Sequence, residues 1–146
     1  MYSKAILVIE DDPDDEAWIR QEFQRHQIGN ELIVKRTGDE ALGYLFGQGA
    51  YATRDTRIQP QLVILDLRLP GADGLEVLRR VRLSELTRTI PVVVLTASDA
   101  DRDAVETLCL GATSFLRKPI DGATFLRMAD EIDLAWGIVR HQTSDG

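Results

Sequence analysis

The chain has 146 residues, 44% of them hydrophobic and 28% charged, with a formal net charge of −7 at pH 7, which suits one globular core better than two domains. The acid excess excludes nonspecific nucleic-acid binding, which needs clustered Lys and Arg, and no apolar run approaches the roughly 20 residues of a membrane span. A single cysteine, Cys109, excludes an internal disulfide framework and a multi-cysteine zinc site.

Ala5-Ile6-Leu7-Val8-Ile9 opens the chain as a short strand. It is too short for a signal-peptide core, so a cytoplasmic location is expected. Asp12 before Pro13 reads as a helix N-cap followed by proline at the first helical position, with Ala17, Trp18 and Phe23 as apolar positions. After the Gly29-Asn30 turn, Glu31–Lys35 reads as a second strand. Thr37-Gly38 then leads into a helix carrying Ala41, Leu42, Leu45 and Phe46. Residues 47–60 form a long connection rich in turn formers. Leu62-Val63-Ile64-Leu65 is the third strand and ends at Asp66; Val92-Val93-Val94-Leu95 is the fourth and ends at Thr96. Thr113-Ser114-Phe115-Leu116 is the fifth, ending before Lys118-Pro119. Cys109, beside Val105, Leu108 and Leu110, reads as a small buried hydrophobe rather than a reactive thiol. The last helix begins near Asp121 and carries Phe125, Ala129, Ile132 and Trp136 on one face. Leu126, Met128, Leu134, Ile138 and Val139 widen its apolar girth, which a second copy of the chain would cover. His26 and His141 lie away from the strand ends and are expected to be solvated. The tail 140–146 is polar.

Apolar strands without alternation are buried on both faces. Separated by helices, they predict a parallel sheet with helices on each side. The fold class is therefore α/β, a flavodoxin-like doubly wound five-stranded sheet of order 2-1-3-4-5 with five helices. It forms one domain over 1–146 with its core at about 4–139.

In such sheets the ligand site lies beyond the carboxyl ends of the strands, near the point where strand order reverses. Here those ends carry Glu10-Asp11-Asp12, Asp66, Thr96 and Lys118. Carboxylates gathered together repel one another unless a cation joins them, and an all-oxygen set suits Mg²⁺. That ion would shield an incoming phosphoryl group, Lys118 would add a second positive charge, and the Thr96 hydroxyl could donate to it. Asp66 ends the central strand between these groups and is the best placed nucleophile toward phosphorus.

Four motifs in order carry a family resemblance: Leu7-Val8-Ile9-Glu10-Asp11-Asp12; Leu62 to Gly74, with Asp66-Leu67-Arg68-Leu69-Pro70 at its centre; Pro91 to Ala97; and Gly111 to Pro119. From Ile6 to about Ala135 the chain resembles the receiver domain of two-component response regulators. The resemblance implies phosphorylation of Asp66 by a sensor histidine kinase. It implies Mg²⁺, with Mn²⁺ as a substitute, bound by Asp11 directly, by Glu10 through water, by Asp66 and by the backbone carbonyl of Arg68. Asp12 then reads as a helix cap rather than a ligand. Thr96, Ala97 and Lys118 would hold the phosphoryl group, Phe115 would turn inward with Thr96 as a switch pair, and the bond before Pro119 would be cis. The long 47–60 connection, Thr96-Ala97-Ser98-Asp99 and Trp136 further resemble the single-domain regulators that serve bacterial phytochrome kinases. That implies a light-sensing kinase as partner and a homodimer through the fourth helix, fifth strand and fifth helix.

Two competing functions separate on single positions. A phosphohydrolase with an aspartyl-phosphate intermediate needs a second aspartate two residues past the nucleophile, where this chain has Arg68. That arginine could pair with the phosphoryl group or Glu10, or point to solvent. A degenerate scaffold would lack the acceptor, the acidic pair or the lysine, and all are present. The expected protein is a phosphoacceptor switch and not a turnover enzyme. No basic output segment follows residue 140, so a DNA-binding regulator is not expected.

Overall fold

The computed structural model describes residues 4–69, 74–107, 111–118 and 121–131. Five strands, β1 (Ile6–Ile9), β2 (Leu32–Lys35), β3 (Leu62–Asp66), β4 (Val92–Thr96) and β5 (Ser114–Arg117), form one all-parallel sheet of order β2-β1-β3-β4-β5. Between and after them lie α1 (Pro13–Arg25), α2 (Gly38–Phe46), α3 (Gly74–Leu83), α4 (Asp99–Thr107) and α5 (Gly122–Glu131). The expected fold and strand order are the observed ones. Among the described residues, no helix is long and apolar enough to cross a membrane.

Every residue of β1, β3 and β4 is buried. The two-residue period of a strand then sorts them between two cores. Leu7, Ile9, Val63, Leu65, Val92 and Val94 pack against α2 and α3 through Leu42, Leu45, Val77 and Leu78. Ile6, Val8, Leu62, Ile64, Val93 and Leu95 pack on the opposite face against Ile19, Phe23 and Phe125 of α1 and α5. The rings of Phe23 and Phe125 meet at 5.1 Å. The edge strand β2 is only half-buried along its length.

Local signals set the helix starts. Asp12 caps α1, accepting from the Asp14 N–H at 2.8 Å, and Thr37 caps α2, accepting from the Glu40 N–H at 3.0 Å. The phase of α1 differs from the expectation in one respect: Ile19 joins Phe23 in the core, while Ala17 faces solvent.

The 47–60 connection is packed against the β2 edge. Gly47 ends α2 at φ 65°, a conformation that L side chains rarely adopt, and a Cβ there would meet Thr56 Cγ2 at 2.8 Å. A single 3₁₀ turn, Gly49–Tyr51, follows. Its Tyr51 hydroxyl accepts from Lys35 Nζ at 2.6 Å, and the Arg54 guanidinium lies 4.0 Å from the Tyr44 ring centroid. The buried Gln59 amide donates to the carbonyls of Leu45 (3.0 Å) and Thr56 (2.8 Å), closing the segment onto the end of α2.

His26 corrects the sequence reading. It is half-buried at the end of α1, and a Cβ on Gly122 would meet its ring at 2.6 Å, so α1 and α5 meet on glycine and imidazole. Several expectations lie outside the described residues: the cis bond at Pro119, the burial of Cys109, the apolar positions after Glu131 that suggested a dimer, His141 and the polar tail.

Candidate functional site

The parallel register sets the strand ends side by side. Ile9 pairs with Leu65, so Glu10 and Asp66 follow on adjacent strands, and Asp66 is opposite Leu95, one residue before Thr96. Thr96 pairs with Arg117, which puts Lys118 at the end of β5, and the Lys118 N–H donates to the Thr96 carbonyl at 3.0 Å. The backbone thus carries Glu10, Asp66, Thr96 and Lys118 to one rim, as the strand order predicted.

The side chains close on a single nitrogen. Lys118 Nζ donates to Asp66 Oδ2 at 2.8 Å and to Asp15 Oδ2 at 2.7 Å, and lies 2.8 Å from Glu10 Oε1. The other Asp66 oxygen accepts the Arg68 N–H at 2.9 Å. Glu10 is 0% exposed, Asp66 6% and Thr96 4%, whereas Asp11 is exposed. The site is therefore a cleft with a dry floor and one carboxylate at its wet lip. Ala97 and Arg68 are exposed beside it. Phe115, on β5, is half-buried against the core, with the Arg102 guanidinium 5.0 Å from its ring centroid.

Burial, and then the neighbouring Asp66 carboxylate, push the Glu10 pKa up to about 8, against a smaller downward pull from Lys118. As a carboxylate, Glu10 Oε1 is buried without a hydrogen bond of good geometry; protonated, it can donate to Asp66. Burial alone would lower the Lys118 pKa, but its contacts to Asp15, Asp66 and Glu10 outweigh that and raise it. The ammonium is fixed as a cation.

Oxygens of Glu10, Asp11 and Asp66 all lie within 4.8 Å of one another. An oxygen-only set with two buried carboxylates and an exposed third fits a hard divalent ion that keeps several waters. Asp12 is the helix cap, as read from sequence; its own N–H points toward Glu10 Oε2 at 3.3 Å.

Sequence reasoning missed two contributors. One is Asp15, and nothing in its neighbourhood in the chain points to a lysine 103 positions away. Gly74 was one letter of a motif. A Cβ there would lie 2.4 Å from Leu67 Cα and 2.8 Å from the Asp66 carbonyl, so α3 begins against the backbone that carries Asp66. Gly74→Ala is expected to force that backbone apart and to cost about 2 kcal/mol of stability. The check is the urea midpoint; an unchanged midpoint would show that the loop yields without cost.

The sheet order and this cleft define a doubly wound α/β domain with an acidic site, crossed by a lysine, at its topological switch. The chain belongs to the response regulator receiver domain family, whose family model matches residues 6–130. It is 33% identical to the response regulator Rcp1 of Synechocystis sp. over 91% of this chain and 88% of that protein. The solved structure of the bacteriophytochrome response regulator AtBRR superposes with a TM-score of 0.84 at 38% identity, covering 94% of this chain and 98% of that one. The Mn²⁺-bound form of Rcp1 superposes with a TM-score of 0.71 at 33% identity, covering 90% of this chain and 92% of that one. The receiver domain of the histidine kinase PA1611 of Pseudomonas aeruginosa, with magnesium in its active-site cleft, superposes with a TM-score of 0.68 at 25% identity, covering 88% and 96% of the two chains.

Proposed function

We propose that this receiver domain accepts a phosphoryl group on Asp66 from a sensor histidine kinase and answers by changing the surface formed by α4, β5 and α5. The observation that carries the reading is Lys118 Nζ at 2.8 Å from Asp66 Oδ2, beside a carboxylate set able to hold a divalent ion.

The Asp66 carboxylate forms the O–P bond as the P–N bond of the kinase's phosphohistidine breaks, and the imidazole leaves with the bonding electron pair. Lys118, already a fixed cation, takes a phosphoryl oxygen; the buried Thr96 hydroxyl and the Ala97 backbone N–H would donate to others. Mg²⁺, or Mn²⁺ in its place, would be held by Glu10, Asp11, Asp66 and the Arg68 carbonyl, and would neutralise charge on the transferring group. Thr96 moving toward the phosphoryl group would open space for Phe115 to turn inward, and that ring, half-buried on β5 under Arg102, links the cleft to the output surface. A second copy of the chain is a partner for that surface.

Arg68 occupies the place where a phosphohydrolase of related fold would need an aspartate, so substrate turnover is not part of the reading. The likeness to Rcp1 and to a bacteriophytochrome response regulator favours a light-sensing histidine kinase as the donor.

The test is intact mass after incubation with acetyl phosphate, with and without Mg²⁺, for wild type and Asp66→Asn. Wild type should gain one phosphoryl group only with metal, and the variant none. Gain in the variant, or gain by wild type without metal, contradicts the proposal.

A further inference from the structure

The first turn of α1 carries three consecutive acidic residues, and the structure gives them different surroundings. Asp14 is exposed. Glu16 pairs with Arg20 at 3.1 Å and Arg36 at 2.5 Å. Asp15 turns the other way, into the cleft, and its Oδ2 accepts from Lys118 Nζ at 2.7 Å.

The usual role of an acidic residue three positions after an N-cap is to reach back to the cap's own N–H. Here the Asp12 N–H points to Glu10 Oε2, and Asp15 makes the longer-range contact instead. A generic helix-dipole role does not account for that choice, because Asp14 and Glu16 serve the same dipole without touching Lys118.

An ammonium has three N–H groups. Two are committed, to Asp15 and Asp66, and Glu10 Oε1 lies 2.8 Å from the nitrogen. The Asp15 side chain is 36% exposed, against 8% for the side chain of Asp66, so water can take over its hydrogen bond when Lys118 turns away. We propose that Asp15 is a positioning residue acting through Lys118: it draws the ammonium toward α1 and competes with a phosphoryl group on Asp66 for it, weakening the site's hold on that group. Asp15 also adds a negative charge beside an incoming anion, and both effects have the same sign.

This inference rests on the phosphoacceptor reading of Asp66. The probe is beryllofluoride, an anion that mimics the phosphoryl group, titrated calorimetrically into the full chain at saturating Mg²⁺. Asp15→Ala should bind it about three- to tenfold more tightly than wild type, and raising the salt should shrink the difference. Asp15→Glu, which retains the charge, should return affinity toward the wild-type value, a rescue that loss of a merely structural carboxylate would not require. The acetyl phosphate concentration giving half the maximal rate of Asp66 phosphorylation should fall in Asp15→Ala, with little change in that maximal rate. Equal or weaker beryllofluoride binding by Asp15→Ala overturns the inference. If wild type itself neither binds beryllofluoride nor takes up phosphate, the reading of Asp66 fails, and the two failures are distinct.

Discussion

Lys118→Ala is expected to slow phosphoryl uptake by Asp66 from acetyl phosphate by about a hundredfold or more, the usual cost of losing one donor aimed at developing charge. The same substitution should tighten Mg²⁺ binding. Lys118 Nζ is 2.8 Å from oxygens of both Asp66 and Glu10, two members of the carboxylate set that would hold the ion, so ammonium and metal compete for them. Above about pH 8, where Glu10 is ionised, those carboxylates repel each other without the ammonium and gain more from a divalent cation. Opposite movements in rate and metal affinity are the signature: a destabilised cleft would lose both. Single-turnover mass kinetics and a Mg²⁺ titration read them separately. A Lys118→Ala protein phosphorylated at the wild-type rate would remove the lysine from the mechanism.

Mg²⁺ affinity should climb steeply with pH between about pH 6 and about pH 8, by up to about tenfold per pH unit, and flatten above that. The cause is Glu10. Its pKa in the fold, pushed up to about 8 first by burial and then by Asp66, lies far above the 4.5 of an ordinary glutamate. Protonated Glu10 therefore contributes stability that is fully present below 4.5 and is lost as pH rises through about 8. Binding a cation requires the carboxylate form, so metal binding below about pH 8 expels a proton, and raising the pH removes that obstacle. Two measurements check the sign. Calorimetry in buffers of different ionisation enthalpy should show about one proton released per ion at neutral pH. The metal-free protein should lose stability across the same range, and Mg²⁺ should restore it. An affinity flat from about pH 6 to about pH 8 would mean that Glu10 is already ionised in the metal-free cleft.

Both results turn on how closely the charged groups are confined, and the chain announces only part of that confinement. Glu10, Asp66, Thr96 and Lys118 could be read in advance because each follows a run of strand-forming apolar residues. A parallel sheet of known order brings the carboxyl ends of neighbouring strands together whatever the side chains are. The Asp12 cap was legible for a similar reason, since a cap bonds within three residues of itself. The 3₁₀ turn inside residues 47–60 was not. Lys35, Tyr44, Tyr51 and Arg54 hold that segment against β2, and these contacts cross between elements. His26, expected in solvent, is half-buried because Gly122 of α5 packs against it, which no local pattern signals.

The sequence by itself determined the sheet, its order and which strand ends would meet, because strand burial follows a two-residue period and parallel connections have few permitted arrangements. Only the tertiary structure decided that Asp15, rather than Asp14 or Glu16, takes Lys118 as a partner, that Gly74 must lack a side chain, and that burial and Asp66 push the Glu10 pKa up. The physical reason is shared. Hydrogen-bond choice, steric approach and desolvation depend on the rotational phase of a helix and on distances of a few ångströms between distant residues, and these are fixed only when the layers pack.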